Sequence, residues 1–286
     1  MEFLSPSKIG ALLSKYGLNT QKSLGQNFLA SSAVPARMVR EAGIDRSCGV
    51  LEIGPGFGIL TRELSAAAGR VVALELDQRF LPVLGETLVG CDNCEVIQGD
   101  ALSADLGSLA AKLAPLRPVV CANLPYYITT SVLSRLLESG LFSQICIMIQ
   151  REVARRLTAR PGTREYGSFT VFTRYFSDPK LLFQVPPGAF FPPPKVTSAV
   201  VSLDVGRHVR PETDETLFFR VVRAAFATRR KTLVNSLVPA FPAFPKETLA
   251  RLVLSCGWAE AVRGERLSFE DFVVLTDALK KLAKDT

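Results

Sequence analysis

The stretch 123–127, with the sequence NLPYY, carries groups suited to holding a flat amine. The Asn123 side-chain oxygen and the Leu124 backbone carbonyl can each accept one hydrogen of an aryl amine. Such an amine is a poor nucleophile because its lone pair is delocalised into the ring, and two acceptors bias its nitrogen towards tetrahedral geometry. Pro125 restricts the turn that exposes the carbonyl, and Tyr126 offers a face on which a base can stack. The motif predicts a site that orients an amine.

A glycine-rich turn lies upstream, in the run LEIGPGFG over 51–58. Gly54 and Gly56 let the backbone turn tightly and approach a ligand without a side chain in the way. Turns of this kind follow the first strand in proteins that bind NAD, FAD or S-adenosylmethionine, and they also occur as purely structural turns. The glycines therefore favour a nucleotide-containing cofactor without choosing among these.

Two acidic residues follow at the ends of the next two predicted strands. Glu75 comes about 20 residues after the glycines, where a carboxylate accepts hydrogen bonds from ribose hydroxyls. Asp100 can accept from an adenine amino group while the Ala101 backbone N–H donates to a ring nitrogen. Each residue alone is typical of a solvated strand end, and Asp77 fits that description best. With the glycines, Glu75 and Asp100 favour an adenosine-containing cofactor.

Apolar strand-like runs alternate with helical stretches through the first two thirds of the chain. This pattern predicts an α/β fold with a mostly parallel sheet covered by helices on both faces. The five predicted strands of this part are 49–53, 70–76, 94–98, 118–122 and 144–149. Two more, 180–185 and 198–205, flank the run PPGAFFPPPK and resemble a hairpin that closes the sheet.

Only amphipathic helical runs follow residue 206, over 215–227, 246–256 and 268–283. We therefore predict two domains, residues 1–206 and a small all-helical domain of residues 207–286. The second domain holds 14 basic and 10 acidic side chains, and its basic excess is denser than that of the first.

Composition restricts the class of protein. With 48% hydrophobic and 21% charged residues, the chain has an ordinary globular composition, and its net charge of +7 favours a polyanionic partner. No apolar run approaches the roughly 20 residues that a membrane helix needs, so we expect a cytosolic protein.

Cys91 and Cys94 form a single CxxC, and His208 is the only histidine. Because a tetrahedral zinc site needs four ligands, we expect no metal.

Taken together, the motifs resemble the ribosomal RNA adenine dimethyltransferases that modify small-subunit RNA. The similarity covers nearly the whole chain and includes SLGQNFL, LEIGPGFG, LELD, GDAL, NLPYY, IQREVARRL, YGSFTV, VPPGAFFPPPKVTSAVV, FATRRKTLVNSL and RLSFEDF. It implies a Rossmann-like, S-adenosylmethionine-dependent methyltransferase domain in residues 1–206 and a helical RNA-recognition domain in residues 207–286. The implied reaction is N6,N6-dimethylation of adjacent adenosines near the 3′ end of 16S rRNA in the 30S particle, with a role in ribosome assembly.

The resemblance also assigns residues. It adds Phe190 as a second aromatic surface for an adenine taken out of the RNA stack, opposite Tyr126. The implied cofactor-binding residues are Asn27, Leu29, Gly54, Gly56, Glu75, Asp100, Ala101 and Asn123. One departure from the family is Ser23 and Leu24, where many members have a basic residue before GQNFL, so this segment does not support an RNA contact.

Two basic clusters are the predicted RNA surface. They consist of Arg151, Arg155 and Arg156, which lie at helical spacing, and of Arg229, Arg230 and Lys231. A single cluster of this kind is typical of a solvated helix face. Both fit phosphate binding, which positions an RNA without reading its sequence.

Three alternative functions remain open. The related methyltransferases that modify large-subunit RNA and confer antibiotic resistance share the sheet, GQNFL and a similar Asn-Leu/Ile-Pro-Tyr motif, but PPPKV at 192–196 and RRKTL at 229–233 resemble the small-subunit family. A non-catalytic RNA-binding or assembly factor is disfavoured by the intact NLPY. A nicotinamide dehydrogenase does not explain NLPYY.

Overall fold

The computed structural model of the protein describes residues 5–18, 27–205, 214–228 and 230–284. Contacts group the chain into two units, residues 1–154 with 177–206 and residues 155–176 with 207–286. The predicted boundary at 206/207 and His208 lie outside the described residues. Residues 155–176, which the sequence pattern assigned to the first domain, group with the C-terminal helices. The domain bounds taken from the sequence stay a prediction.

The strands of the first unit lie close to where the sequence patterns place them. They are β1 (Phe28–Leu29), β2 (Cys48–Ile53), β3 (Arg70–Glu75), β4 (Cys94–Gln98), β5 (Arg117–Asn123), β6 (Gln144–Gln150), β7 (Ser177–Val185), β8 (Phe190–Phe191) and β9 (Ser198–Val205). The helices up to residue 157 are α1 (Pro6–Lys15), α2 (Ala33–Glu41), α3 (Ile59–Ala67), α4 (Leu81–Thr87), α5 (Leu106–Ala111), α6 (Thr129–Ser139) and α7 (Arg151–Leu157).

Seven strands form one sheet in the order β4-β3-β2-β5-β6-β9-β7. The first five of these are parallel, and β9 pairs antiparallel with β6 and with β7. All six residues of β2 are buried, as expected of a central strand covered on both faces. The predicted α/β fold with a mostly parallel sheet is confirmed. Strands β7 and β9 pair antiparallel at the end of the sheet, with β9 next to β6, as predicted for a hairpin that closes the sheet.

The order of the strands places a crevice next to β2. From β2 the chain builds β3 and β4 on one side and then returns to place β5 and β6 on the other. In open α/β sheets, ligands bind at the carboxyl ends of the strands where the order reverses in this way. The ends of β2 and β5 carry the glycine turn and the NLPYY motif, so the fold brings both to this crevice.

The described residues of the second unit form helices joined by turns and contain no strand. Its helices are α8 (Ser168–Phe176), α9 (Glu215–Ala227), α10 (Leu233–Leu237), α11 (Lys246–Ser255) and α12 (Phe269–Lys284). Ser268 and Asp271 form a reciprocal cap at the start of α12, with N–H to side-chain oxygen distances of 2.8 and 3.1 Å. The Tyr166 hydroxyl donates to the Leu267 carbonyl at 2.8 Å, which helps explain why residues 155–176 group with these helices. No helix among the described residues is long and apolar enough to span a membrane.

Candidate active site

A pocket opens at the carboxyl ends of β2 and β5. The space it encloses is about 770 Å³ when the open solvent at its mouth is included. Several predicted cofactor-site residues line it, namely Asn27, Leu29, Gly54, Gly56, Glu75 and Asn123. Leu124, Pro125 and Tyr126 line the same pocket. The fold therefore joins the glycine turn and the Asn-Leu-Pro-Tyr turn, residues 123–126, in one cavity.

The glycine turn after β2 forms one wall of the pocket. Gly54 and Gly56 have φ angles of +71° and +56°, in the left-handed region that residues with a Cβ rarely adopt. A Cβ atom on Gly56 would lie 3.0 Å from the Phe28 ring. The Gly56 N–H donates to Glu75 Oε2 at 3.2 Å. Both conformation and space therefore favour glycine at position 56.

Glu75 ends β3 and is 7% exposed. Besides the Gly56 N–H, its carboxylate accepts the Asp77 N–H at 2.9 Å through Oε1. Burial raises the pKa of Glu75, and these two N–H donors act in the opposite direction. They hold the carboxylate at the pocket wall. Asp77 instead forms an ion pair with Arg79 at 2.6 Å, as fits a surface charge.

Glu52 is a pocket residue that the sequence patterns did not single out. It is 1% exposed, and its Oε2 has no hydrogen-bond partner among the described residues. Burial raises the pKa of Glu52 to about 8; the nearby Thr61 hydroxyl opposes this effect, and the charge of Glu75 adds to it. The signal available in the sequence was one acidic residue inside the otherwise uncharged strand CGVLEI. A cation in the pocket would favour the ionised form of this carboxyl group.

The raised pKa of Glu52 predicts a pH-dependent stability. Between an unfolded value of about 4.3 and the folded value of about 8, folding takes up a proton, so stability falls as the pH rises. Replacing Glu52 with glutamine is expected to stabilise the protein, with a gap over wild type that grows by up to about 1.4 kcal/mol per pH unit within this window. Denaturant unfolding at a series of pH values measures the gap. The exposed Glu138→Gln is the matched control, and parallel profiles for wild type and Glu52→Gln would contradict the prediction.

The Asn-Leu-Pro-Tyr turn follows β5. Asn123 Nδ2 donates to the Asn27 carbonyl at 3.4 Å. Because the nitrogen and oxygen of an amide point in different directions, this bond turns Oδ1 away from Asn27 as the remaining acceptor. The Leu124 N–H donates to the Met148 carbonyl of β6 at 3.2 Å, which fixes the start of the turn to the sheet.

The two tyrosines of the motif have different surroundings. Tyr126 lines the pocket, and its hydroxyl lies 2.7 Å from the hydroxyl of the buried Ser198. Burial raises the pKa of Tyr126, and the Ser198 hydrogen bond partly opposes this. Tyr127 is 55% exposed. The pocket therefore receives one of the two rings.

Residues 27–29 contribute a further wall. Strand β1 pairs antiparallel with β8, with Leu29 opposite Phe190. The Phe28 ring packs on Phe57 and Phe80, with centroid distances of 4.6 and 5.5 Å. The pairing of β1 with β8 was not predicted, because a two-residue strand has no periodicity to detect. It holds the Asn27 carbonyl within reach of Asn123.

Known proteins match this chain along most of its length. The family model for ribosomal RNA adenine dimethylases matches residues 17–256. Proteins named ribosomal RNA small subunit methyltransferase A from Bacillus mycoides (strain KBAB4) and Bacillus cereus (strain AH187) are each 44% identical to it, over 97% of both chains. The chain belongs to the ribosomal RNA adenine dimethylase family. The resemblance inferred from the motifs is confirmed.

Two solved structures share the fold of this dimethylase. A dimethyladenosine transferase from Plasmodium falciparum superposes with a TM-score of 0.78 and 25% identity, covering 90% of this chain and 98% of the other. The 23S rRNA methyltransferase ErmE superposes with a TM-score of 0.72 and 27% identity, covering 89% of this chain and 100% of the other. These likenesses confirm the predicted methyltransferase sheet with C-terminal helices.

Three predicted site residues of the dimethylase lie outside the described pocket lining, namely Asp100, Ala101 and Phe190. Asp100 and Ala101 follow β4, next to Glu75, whose carbonyl accepts the Gly99 N–H at 2.9 Å. Asp100 Oδ1 accepts the Leu102 N–H at 2.8 Å. Phe190 is buried against β1. The roles assigned to these residues stay predictions.

The basic clusters of the dimethylase are exposed where they are described, at Arg151, Arg155, Arg156, Arg230 and Lys231. None of these five side chains forms an ion pair with a carboxylate of a described residue. Arg229 and residues 23–26 lie outside the described part of the chain. The RNA contacts of both clusters stay a prediction.

The cysteines of the dimethylase are all free thiols, including Cys91 and Cys94. Among the described residues, no group of three or more His, Cys, Asp or Glu side chains is placed to hold a metal ion.

Proposed function

We propose that this dimethylase transfers methyl groups from S-adenosylmethionine to N6 of adjacent adenosines near the 3′ end of 16S rRNA in the 30S particle. The observation that carries the proposal is that the Asn-Leu-Pro-Tyr turn and the glycine turn open into one pocket. Relatives named as small-subunit methyltransferases align over 97% of the chain, which supports the small subunit as the substrate.

The pocket residues fit S-adenosylmethionine. The glycine turn lines the pocket at Gly54 and Gly56, which place no side chain between the backbone and a ligand. The Glu75 carboxylate can accept hydrogen bonds from ribose hydroxyls. Oε2 of Glu52, which has no hydrogen-bond partner among the described residues, can pair with a positively charged group of the cofactor. When bound, this cofactor supplies a methyl group activated by a positively charged sulfur.

The Asn-Leu-Pro-Tyr turn orients the N6 amine of the target adenosine. Asn123 Oδ1 and the Leu124 carbonyl accept the two N6 hydrogens, which turns the nitrogen lone pair towards the methyl group. The Tyr126 ring supports the base by stacking. Alignment of this kind supplies on the order of 7–11 kcal/mol in favourable cases. A neutral asparagine suits this reaction, since the amine can lose its proton after the transfer and needs no strong base.

A large-subunit adenosine is the second candidate substrate, because the structure of ErmE superposes with a TM-score of 0.72. Identity to that protein is 27%, compared with 44% to the small-subunit relatives. The difference favours the small subunit.

Methyl-labelled S-adenosylmethionine incubated with the protein and immature 30S or 50S particles tests the proposal. We expect label in 16S rRNA, recovered after digestion as N6,N6-dimethyladenosine from the 3′ end. Label in 50S particles would support the large-subunit candidate instead. Absence of label from both particles would support a non-catalytic assembly factor.

We further propose that the second unit recognises the RNA. It contains Arg155, Arg156, Arg230 and Lys231, which are exposed and without carboxylate partners among the described residues. The pocket residues lie in the first unit. In this proposal the first unit binds the cofactor and the target base, and the second unit supplies most of the phosphate contacts.

Neutralising Arg229, Arg230 and Lys231 with glutamine is expected to weaken 30S binding and flatten its salt dependence. Each phosphate contact contributes about −0.7 to −0.9 to the log–log slope of affinity against salt, so losing three contacts changes the slope by about two units or more. A salt titration of 30S binding measures this. Glutamines at the exposed Lys246, Lys281 and Lys284 make the same change in net charge and serve as the control. Equal slopes for the two triple variants would mean that the Arg229 cluster is a solvated surface.

A further inference from the structure

Ser198 is a fully buried polar residue that no motif singled out. It is the first residue of β9, and its backbone lies in register with Gln150 of β6 on one side and Val185 of β7 on the other. Strands on both sides therefore fix its position. A hydroxyl held in this way can act as a rigid anchor for a partner side chain.

The partner of that hydroxyl is Tyr126. The two oxygens lie 2.7 Å apart, across 72 positions of sequence, and either can donate. Tyr126 is half-buried and lines the pocket, so a phenol oxygen without a partner would lose hydrogen bonding to water. The contact satisfies this oxygen and links the ring to the sheet.

Two attachments then determine the position of the Tyr126 ring. At the backbone end, the turn is tied to β6 through the Leu124 N–H and the Met148 carbonyl, at 3.2 Å. At the far end, the ring is tied to β9 through Ser198. A ring held only at the backbone end can swing about the Cα–Cβ bond into another rotamer, whereas a hydrogen bond at the phenol oxygen, at the far end of the Cβ–Cγ axis, keeps the ring at one place in the pocket.

We propose that Ser198 is a positioning residue for methyl transfer: its hydroxyl holds the Tyr126 ring at the place in the pocket where the target base stacks. This inference rests on the proposed function, since it requires a base on Tyr126. Ser198 touches neither the base nor the cofactor and acts through the tyrosine alone.

A double-mutant cycle with Ser198→Ala and Tyr126→Phe tests the inference. Each change removes the same hydrogen bond and keeps the ring, so each is expected to lower kcat about fivefold, the equivalent of one ordinary hydrogen bond. The affinity for the cofactor stays unchanged. The double variant is expected to match either single variant, because the second change has no bond left to remove.

Ser202→Ala is the matched control. Ser202 lies four residues further along β9, on the same face of the strand, and its hydroxyl accepts from Gln144 Nε2 at 3.0 Å. We expect wild-type kcat for this variant. Additive losses in the cycle, or an unchanged kcat for Ser198→Ala, would overturn the inference.

Tyr126→Ala separates this inference from the proposed function. Near wild-type turnover of Tyr126→Ala would refute the stacking role itself. Low turnover of Tyr126→Ala together with wild-type kcat for Ser198→Ala would refute only the role of Ser198.

A titration of the phenol provides a readout that does not depend on turnover. Because the Ser198 hydrogen bond lowers the pKa of Tyr126 against the effect of burial, Ser198→Ala is expected to raise that pKa further. Carbon-13 NMR of labelled tyrosine measures it, with the signal assigned through Tyr126→Phe. An unchanged titration in Ser198→Ala would show that the hydroxyls do not interact and would also overturn the inference.

Discussion

Asn123→Ala is expected to lower kcat for methyl transfer by about 100- to 1,000-fold, the range seen when an enzyme loses one positioned hydrogen-bonding group. The variant lacks Oδ1, the acceptor that orients the amine. It also lacks the bond from Nδ2 to the Asn27 carbonyl, 3.4 Å long in the wild type. The fold should survive, because the Asn123 side chain is only partly buried and lies at the end of β5.

Single-turnover transfer of labelled methyl groups to 30S particles measures this loss, and calorimetry measures cofactor affinity on the same sample. The loss in cofactor affinity should be much smaller than the loss in kcat. Asn235→Ala, at an exposed position in α10, is the matched control and should retain full activity. If Asn123→Ala kept wild-type kcat, the amine would be oriented by other groups.

Glu75→Ala is expected to weaken cofactor binding by about 10- to 150-fold, which corresponds to the 1.5–3 kcal/mol of a charge-assisted hydrogen bond. The carboxylate is the proposed acceptor for the ribose hydroxyls. Within the protein the Glu75 carboxylate also accepts hydrogen bonds from the backbone N–H groups of Gly56 and Asp77, at 3.2 and 2.9 Å. Its removal therefore loosens the glycine turn as well as removing the ligand contact.

Calorimetry with S-adenosylmethionine measures the loss for Glu75→Ala. Asp77→Ala is the control, because it removes an acidic side chain two residues away that pairs with Arg79 and leaves both N–H donors to Glu75 in place. Equal affinities for Glu75→Ala and wild type would remove Glu75 from the ribose site. Equal losses in the two variants would indicate a general effect of charge.

Local patterns were sufficient to predict most of the sheet. Residues 94–98 and 198–205 form strands with the predicted bounds, and the other main strands differ by at most three residues at an end. Strands buried on both faces require nearly continuous apolar runs, which are visible in a single sequence. The glycine turn and NLPYY each follow such a run, so their place at strand ends was also predictable.

The second unit shows where a local pattern was insufficient. The helices α9, α11 and α12 were predicted and α10 was not, and residues 155–176 group with these helices as well. The bond from the Tyr166 hydroxyl to the Leu267 carbonyl joins residues 101 positions apart. A truncation at residue 206 would therefore separate segments that pack together, and a shortened protein that tests the first unit alone should also lack residues 155–176.

The sequence by itself determined the fold class, the family and the two motifs of the pocket, because these depend on residue types at short, regular spacings. The tertiary structure decided which distant groups meet. It placed the buried Glu52 in the pocket wall, bonded Asn123 to Asn27 and set Ser198 against Tyr126. These contacts depend on strand order and register, which bring together residues as many as 96 positions apart. No periodicity in a single chain encodes such a pairing, since its free energy arises only once the sheet has formed.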